Sequence, residues 1–147
     1  MHKIILVPID LNAGALSQNV ITEINDYAKD KNVKFHFVTV ILPSEQLFDY
    51  GLTFPVMTEN AKSEDQRIKA LLEKLDATTE KFAVQKEQIS TGVLIGSAAE
   101  AILDNAERIK ADLIVIGSKN PTMKSRFLGS TASALIHYAN ISVLVVR

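Results

Sequence analysis

The chain has 147 residues, of which 47% are hydrophobic and 22% charged, and its formal net charge is −1. This composition fits one globular domain, residues 1–147, and the near-zero charge argues against nucleic acid or an anionic membrane as a partner. The absence of cysteine excludes disulfides and thiol catalysis. Because no apolar run reaches the roughly 20 residues of a bilayer span, and the first one is too short for a signal peptide, we expect a cytoplasmic protein.

Strand and helix signals alternate along the first half of the chain. Residues 3–9 form a continuous apolar run, which is typical of a strand buried on both faces of a parallel sheet. Apolar residues then recur every four positions from Leu16 to Ala28 and predict an amphipathic helix. Residues 33–42 predict a second strand. The segment 43–58, with its aromatic residues, glycine and proline, predicts a long loop.

The alternation continues in the second half. Four apolar residues at i, i+3, i+4 and i+7 predict a helix: Ile68, Leu71, Leu72 and Leu75. Residues 85–91 predict a weak strand, polar enough to lie at the edge of the sheet. Ser97 and Glu100 have the spacing of a capping box that opens another helix.

Three further elements complete the pattern. Residues 113–116 predict a buried strand, residues 132–139 a helix, and residues 142–147 a final strand. Such an alternation predicts a doubly wound α/β fold, a mainly parallel sheet with helices on both faces. In these folds ligands bind beyond the carboxyl ends of the strands, where the strand order reverses. The rule selects residues 8–10, residues 39–41 and Gly117.

The loop that follows Gly117 has the composition of an anion site. No Asp or Glu occurs after Asp112, whereas Lys119, Lys124 and Arg126 fall within the loop. Residues 129–131, Gly-Ser-Thr, stand where the last helix begins, so unpaired N–H groups and the positive end of the helix dipole point into one space. This arrangement predicts a phosphate site with additional hydroxyl donors.

A second interpretation of the same loop stays open on spacing alone. Ser130 is equally suited to cap the last helix, and Gly117 to end a strand. The loop is not a P-loop, since no Gly-Lys-Ser/Thr triplet exists, and no G-x-G-x-x-G fingerprint follows a strand.

Four stretches together resemble the universal stress protein family: residues 3–10, residues 117–119, residues 129–133 and residues 137–147. The resemblance spans the whole chain. It implies an adenine-nucleotide-binding domain with five parallel strands in the order 3-2-1-4-5, and a homodimer formed through the last strand. The dimer strand comprises Val143, Leu144, Val145 and Val146. A hydrophobic edge strand is an aggregation hazard unless it is paired, which gives the dimer a physical motive.

The resemblance also assigns roles to single residues. Gly117 matches the first glycine of the family's phosphate pattern and Gly129 with Ser130 its last pair, whereas Asn120 replaces the middle glycine, and the interval after it is one residue short. By the same resemblance Asp10 binds the ribose and Val40 offers backbone groups to the adenine. The predicted contacts are Pro8, Ile9, Asp10, Val40, Ile116, Gly117, Lys119, Asn120, Arg126, Gly129, Ser130 and Thr131. The expected ligand is ATP or AMP, with or without Mg²⁺.

Several functions remain as hypotheses at this point. The leading one is a dimeric stress-response module that is regulated by nucleotide occupancy and has little turnover. A slow ATPase or self-phosphorylating enzyme needs a base, metal ligands and a positioned water, and the sequence offers only Asp10 for these roles. A dimeric module without nucleotide is a further alternative. A phosphoacceptor switch lacks its pair of acids after the first strand and its acceptor aspartate after the third.

Overall fold

The computed structural model describes residues 3–12, 16–43, 60–118 and 129–147. In this part of the chain five strands alternate with four helices. They are β1 (Ile4–Pro8), α1 (Gln18–Tyr27), β2 (Lys34–Ile41), α2 (Asn60–Thr79), β3 (Ile89–Ile95), α3 (Ala98–Ile109), β4 (Leu113–Gly117), α4 (Ser130–Tyr138) and β5 (Ser142–Val146). All paired strands are parallel and follow the order β3-β2-β1-β4-β5. The predicted doubly wound α/β fold and its strand order are therefore confirmed.

The sheet separates two layers of hydrophobic core. Ile5 and Val7 of β1 pack with α1 and α2 on one face, whereas Leu6 packs with α3 and α4 on the other. All three side chains are fully buried. A strand covered on both faces has no position for a polar residue, which explains the continuous apolar run that predicted β1. Among the described residues, no helix is long and apolar enough to cross a bilayer.

The third strand begins four residues later than predicted. Residues 85–91 were predicted as the strand, but Lys86–Gln88 form a 3-10 turn and β3 runs from Ile89 to Ile95. The buried side chain of Gln88 causes the shift, because its Nε2 donates to the carbonyls of Asp30 and Val33 at 3.1 and 3.0 Å. The predicted edge position is confirmed, since β3 pairs with β2 alone.

The start of α3 is also built differently from the prediction. Ser97 is the N-cap residue, but its side chain makes no capping hydrogen bond, so the predicted reciprocal box with Glu100 is wrong. Gly96 instead turns the chain out of β3 with a φ of +144°, a backbone region open mainly to glycine. Its N–H donates to the carbonyl of Ile41 at 2.9 Å and holds the turn to the end of β2.

The predicted loop at 43–58 lies outside the described residues apart from Pro43.

Asp112 joins the amino ends of β1 and β4. Its carboxylate accepts the N–H of Lys3 at 2.9 Å, and its own N–H donates to the carbonyl of Ile4 at 3.0 Å. Because a charged acceptor makes the stronger kind of hydrogen bond, we expect Asp112→Ala to lower the free energy of unfolding by about 1–3 kcal/mol in urea denaturation. Asp104→Ala, at an exposed position of α3, serves as the control and should change it by less than about 0.5 kcal/mol. Equal stability of the two variants would contradict this role.

Candidate functional site

A crevice opens between β1 and β4 at the carboxyl ends of the strands. The ladder between these strands covers two residue pairs, of which the last joins Leu6 to Ile114. By contrast, the ladder of β1 with β2 continues to Pro8, and that of β4 with β5 continues to Gly117. The two central strands thus diverge where the strand order reverses, which is the position at which open α/β sheets bind ligands.

Residues 8–10 form the β1 side of the crevice. Pro8 is half-buried, and Ile9 is in the hydrophobic core, with its N–H donating to the carbonyl of Val38 at 2.7 Å. Asp10 is exposed and its Oδ1 accepts the N–H of Asn12 at 2.9 Å. This contact is an Asx-turn, in which the aspartate stabilises its own loop. The turn therefore uses the same carboxylate that ribose binding would need. A carboxylate has two oxygens, so the turn leaves Oδ2 available to a sugar hydroxyl.

The backbone of Val40 points towards the same crevice. The carbonyl of Val38 bonds to β1, and that of Ile41 bonds to Gly96 beside β3. Backbone groups of alternate residues point to the same side of a strand, so Val40 directs its N–H and C=O to the β1 side, as Val38 does. The hydrogen bond from the N–H of Ile9 to the carbonyl of Val38 lies just beyond the ladder of β1 with β2, and Val40, two residues later, extends into the space above the end of β1.

The β4 side of the crevice holds the start of α4. Ser118 is buried, its N–H donates to the carbonyl of Val146 at 2.8 Å, and its carbonyl accepts the N–H of Gly129 at 2.7 Å. This last bond places the beginning of α4 directly at the end of β4. The N–H groups of residues 130–132 belong to the first turn of the helix, where no intrahelical carbonyl reaches them. Together with the helix dipole they favour an anion.

The two glycines of the site are not required by their own backbone conformation. Gly129 is the N-cap of α4 with φ −60° and ψ 153°, and the positive φ values among the described residues belong to Gly96 and Lys110. A Cβ at Gly117 would lie 3.8 Å from Val20 Cγ2, an ordinary contact. At Gly117, therefore, neither the backbone angle nor a close contact requires a glycine. Since Gly129 is the cap, the alternative that Ser130 caps the helix is wrong.

Most of the predicted site residues lie at the same edge of the sheet. The structure places them on the end of β1, the end of β2, the end of β4 and the first turn of α4; they are Pro8, Ile9, Asp10, Val40, Ile116, Gly117, Gly129, Ser130 and Thr131. Lys119, Asn120 and Arg126 lie outside the described residues. Ser118 was not predicted, and the sequence marks it only by its place directly after Gly117.

A separate groove of about 190 Å³ lies at the opposite end of the sheet. It is formed by the last turns of α3 and α4, with Glu107, Lys110 and Tyr138 in its lining. None of the predicted nucleotide contacts that the structure describes lines it.

Comparison with known proteins identifies relatives along the entire chain. The model of the universal stress protein family matches residues 1–147. Universal stress protein G of Shigella flexneri is 32% identical over 149 residues, which cover 100% of both chains. Among solved structures, a universal stress protein in complex with cAMP aligns with a TM-score of 0.61 and 20% identity, covering 99% of this chain and 97% of the other. A universal stress protein from Archaeoglobus fulgidus in complex with dAMP aligns with a TM-score of 0.57 and 19% identity, covering 99% and 98%. These two likenesses show the shared fold.

Proposed function

The chain belongs to the universal stress protein family, and we propose that it binds an adenine nucleotide, ATP or AMP, at the carboxyl ends of β1 and β4. The observation that carries this proposal is the 2.7 Å hydrogen bond from the N–H of Gly129 to the carbonyl of Ser118, which holds the first turn of α4 at the mouth of the crevice. Structural neighbours of the same family are complexes with cAMP and dAMP, which supports an adenine nucleotide as the ligand class.

The donors and acceptors around the crevice fit the parts of such a ligand. The N–H groups of the first turn of α4, with the hydroxyls of Ser130 and Thr131, face the phosphates. Asp10 accepts from the ribose, and the outward N–H and C=O of Val40 bind the edge of the adenine. Lys119 and Arg126 are proposed to add positive charge for the phosphates, and Asn120 stays a proposed contact in place of the family's middle glycine. Mg²⁺, where it accompanies ATP, is then held mainly by phosphate oxygens and water.

A second part of the proposal is a homodimer through β5. The carbonyl of Val146 points to β4, so the N–H and C=O groups of Val143 and Val145 point to the free edge of the sheet. The strand carries Val, Leu, Val and Val in succession. Pairing with the same strand of a second copy about a twofold axis would satisfy the unpaired backbone groups of this hydrophobic edge strand.

The biological role that follows is a regulatory module of the cytoplasm, where adenine nucleotides are available to it. Nucleotide at the crevice contacts α4, and α4 is directly followed by the proposed dimer strand. Occupancy of the site can therefore alter the surface that a partner protein meets, without a need for rapid hydrolysis.

A calorimetric titration of nucleotide-stripped protein tests the binding. We expect ATP, with and without Mg²⁺, to bind once per chain with a micromolar Kd, a free energy of about −8 kcal/mol. Adenosine is the matched control, since it keeps the base and ribose but lacks the phosphates that α4 binds; it should bind at least about 10-fold more weakly. Absence of saturable heat for ATP at two temperatures would refute nucleotide binding, and equal affinities would refute the phosphate site at α4.

A further inference from the structure

A polar pair of side chains on the face of the sheet opposite to α1 and α2 takes no part in the nucleotide crevice. His36 of β2 and Ser90 of β3 are register partners, and His36 Nδ1 lies 2.6 Å from Ser90 Oγ. The neighbours Phe35 and Phe37 point into the core under α1 and α2, so alternation places His36 on the α3 face. The histidine is half-buried, and Ser90 is exposed.

Gly92 keeps the second nitrogen of the imidazole uncovered. A Cβ at this position would lie 3.4 Å from His36 Nε2 and 3.5 Å from Cε1. The φ of Gly92 is not positive, so its backbone conformation accepts other residues. The glycine therefore leaves a small opening directly beside Nε2.

The α3 helix carries an exposed basic residue, Arg108, whose charge acts on His36. Ala101, Asn105 and Arg108 follow one ridge of α3 at i, i+4 and i+7, and a Cβ added at Gly96, directly after β3, would lie 3.7 Å from the Cβ of Ala101. Burial is the main cause that lowers the pKa of the His36 imidazole below its usual value. The positive charge of Arg108 is the second cause.

Three acidic residues of α3, Glu100, Asp104 and Glu107, are also spaced i, i+4 and i+7, and the last two line the groove towards Tyr138. Asp104 is four residues before Arg108, the spacing of neighbours on a helix surface. On β2, Lys34 shares the face of His36, and its Nζ donates to the carbonyl of Glu87 at 2.9 Å. Within the described ranges no carboxylate lies at ion-pair distance from Arg108 or Lys34. Among the described residues, Arg108 and Lys34 therefore contribute positive charge that no ion pair neutralises.

A buried amide on the ridge of Arg108 also lacks a partner. Asn105 is 3% exposed, and its Oδ1 has no hydrogen-bond partner among the residues described. Oxygen and nitrogen of a side-chain amide can exchange places, so the group can present either a donor or an acceptor. Buried polar groups are usually satisfied, and an unsatisfied one marks a position that water or a ligand completes.

We propose that His36, Ser90 and Arg108 form a second binding site, for a small inorganic oxyanion of the sulfate or phosphate type. Ser90 gives up its long 3.4 Å hydrogen bond to the carbonyl of Phe35 and donates to the anion instead. Its oxygen still accepts the Nδ1–H of His36, while a protonated Nε2 donates to the anion through the opening at Gly92. Arg108 supplies the remaining charge. The site is independent of the nucleotide crevice, which lies at the carboxyl ends of β1 and β4.

The proposal is tested by measuring the imidazole pKa of His36 by NMR, in sodium sulfate and in sodium chloride of equal ionic strength. Sulfate keeps its charge across the titration range, so a change reports on the histidine. A bound dianion stabilises the imidazolium, and we expect the pKa of His36 to rise by about 0.5–1 unit in sulfate. His137, the other histidine that the structure describes, is exposed on α4 and should show no comparable change. No rise at His36, or equal rises at both, would overturn the proposal.

Two variants separate a specific site from general salt effects. Gly92→Ala places a methyl group over Nε2, and Arg108→Gln removes the charge; each should reduce the sulfate-induced rise at His36 to less than half. Glu107→Gln changes the neighbouring residue of α3 and should leave the rise as it is in the unmodified chain. A full rise in both Gly92→Ala and Arg108→Gln would show that sulfate does not bind at this position.

Discussion

Replacing Gly129 with aspartate is expected to weaken ATP binding by about 100-fold or more, close to 3 kcal/mol. Gly129 is the N-cap of α4, so the new carboxylate lies among the N–H groups that the phosphates are proposed to use. Like charges about 4 Å apart near a protein surface repel by roughly 4 kcal/mol, and the aspartate also adds a side chain where glycine has none. Calorimetry of the variant measures the loss.

The same change should leave the fold at least as stable. Aspartate is among the preferred N-cap residues, and the φ of −60° and ψ of 153° at Gly129 suit it. Its charge also interacts favourably with the start of the helix, so we expect the free energy of unfolding to stay constant or to rise by up to about 1 kcal/mol. Loss of binding in a stable protein then reports on the site rather than on folding.

Gly129→Asn is the matched control. Asparagine has nearly the same shape and capping ability as aspartate but no charge, so it isolates the electrostatic part of the effect. We expect Gly129→Asn to bind ATP at least about 10-fold more tightly than Gly129→Asp. Unchanged ATP affinity in Gly129→Asp would show that the phosphates do not lie at the start of α4.

The sequence predicted the fold best where one physical requirement acts alone. β1 and β4 are buried on both faces, so apolar residues fill them and their positions are plain. The amino end of β3 was misplaced because a polar residue near an edge strand fits two structures. It can be an exposed residue of the strand or a buried residue that bonds to the backbone before the strand begins. Gln88 faces the interior to bond with Asp30 and Val33, and no local pattern distinguishes that from an exposed strand residue.

The same limit of local sequence patterns explains why the capping box was predicted wrongly. Ser97 and Glu100 have the correct spacing, but the turn at Gly96, with its positive φ, already fixes where α3 begins. Sequence spacing reports which hydrogen bonds are possible, whereas the direction of the incoming strand decides which of them form.

The candidate site was predictable in its location but not in its backbone detail. The rule that ligands bind at the carboxyl ends of the strands selected residues 8–10 and Gly117, which the structure places at one edge of the sheet. The direction of the Val40 backbone groups and the bond from Gly129 to Ser118 depend on strand register, which a single sequence does not specify. The roles of Lys119, Asn120 and Arg126 stay predictions.

Replacing Val145 with proline is expected to dissociate the proposed dimer without breaking the sheet of the single chain. The N–H of Val145 points to the free edge, whereas the carbonyl of the next residue, Val146, accepts the N–H of Ser118 directly after β4. Proline is tolerated in edge strands at such positions, where it removes only the outward donor. The lost donor and the clash of the ring with a second β5 together amount to about 3 kcal/mol or more, a rise of at least 100-fold in the dimer Kd.

Two further substitutions on β5 make the result specific to its outer edge. Val145→Ala trims the side chain but keeps the N–H, so sedimentation velocity at micromolar concentration should still show a dimer. Leu144→Pro removes a donor that points to β4 and should instead destabilise the chain itself by about 3 kcal/mol.

A dimer that survives Val145→Pro would place the interface on another surface, and a monomeric unmodified chain would remove the dimer from the proposed function. Because α4 leads directly into β5, ATP affinity measured on monomeric Val145→Pro also tells whether the nucleotide site requires the partner, and an unchanged Kd would mean that each chain binds its nucleotide alone.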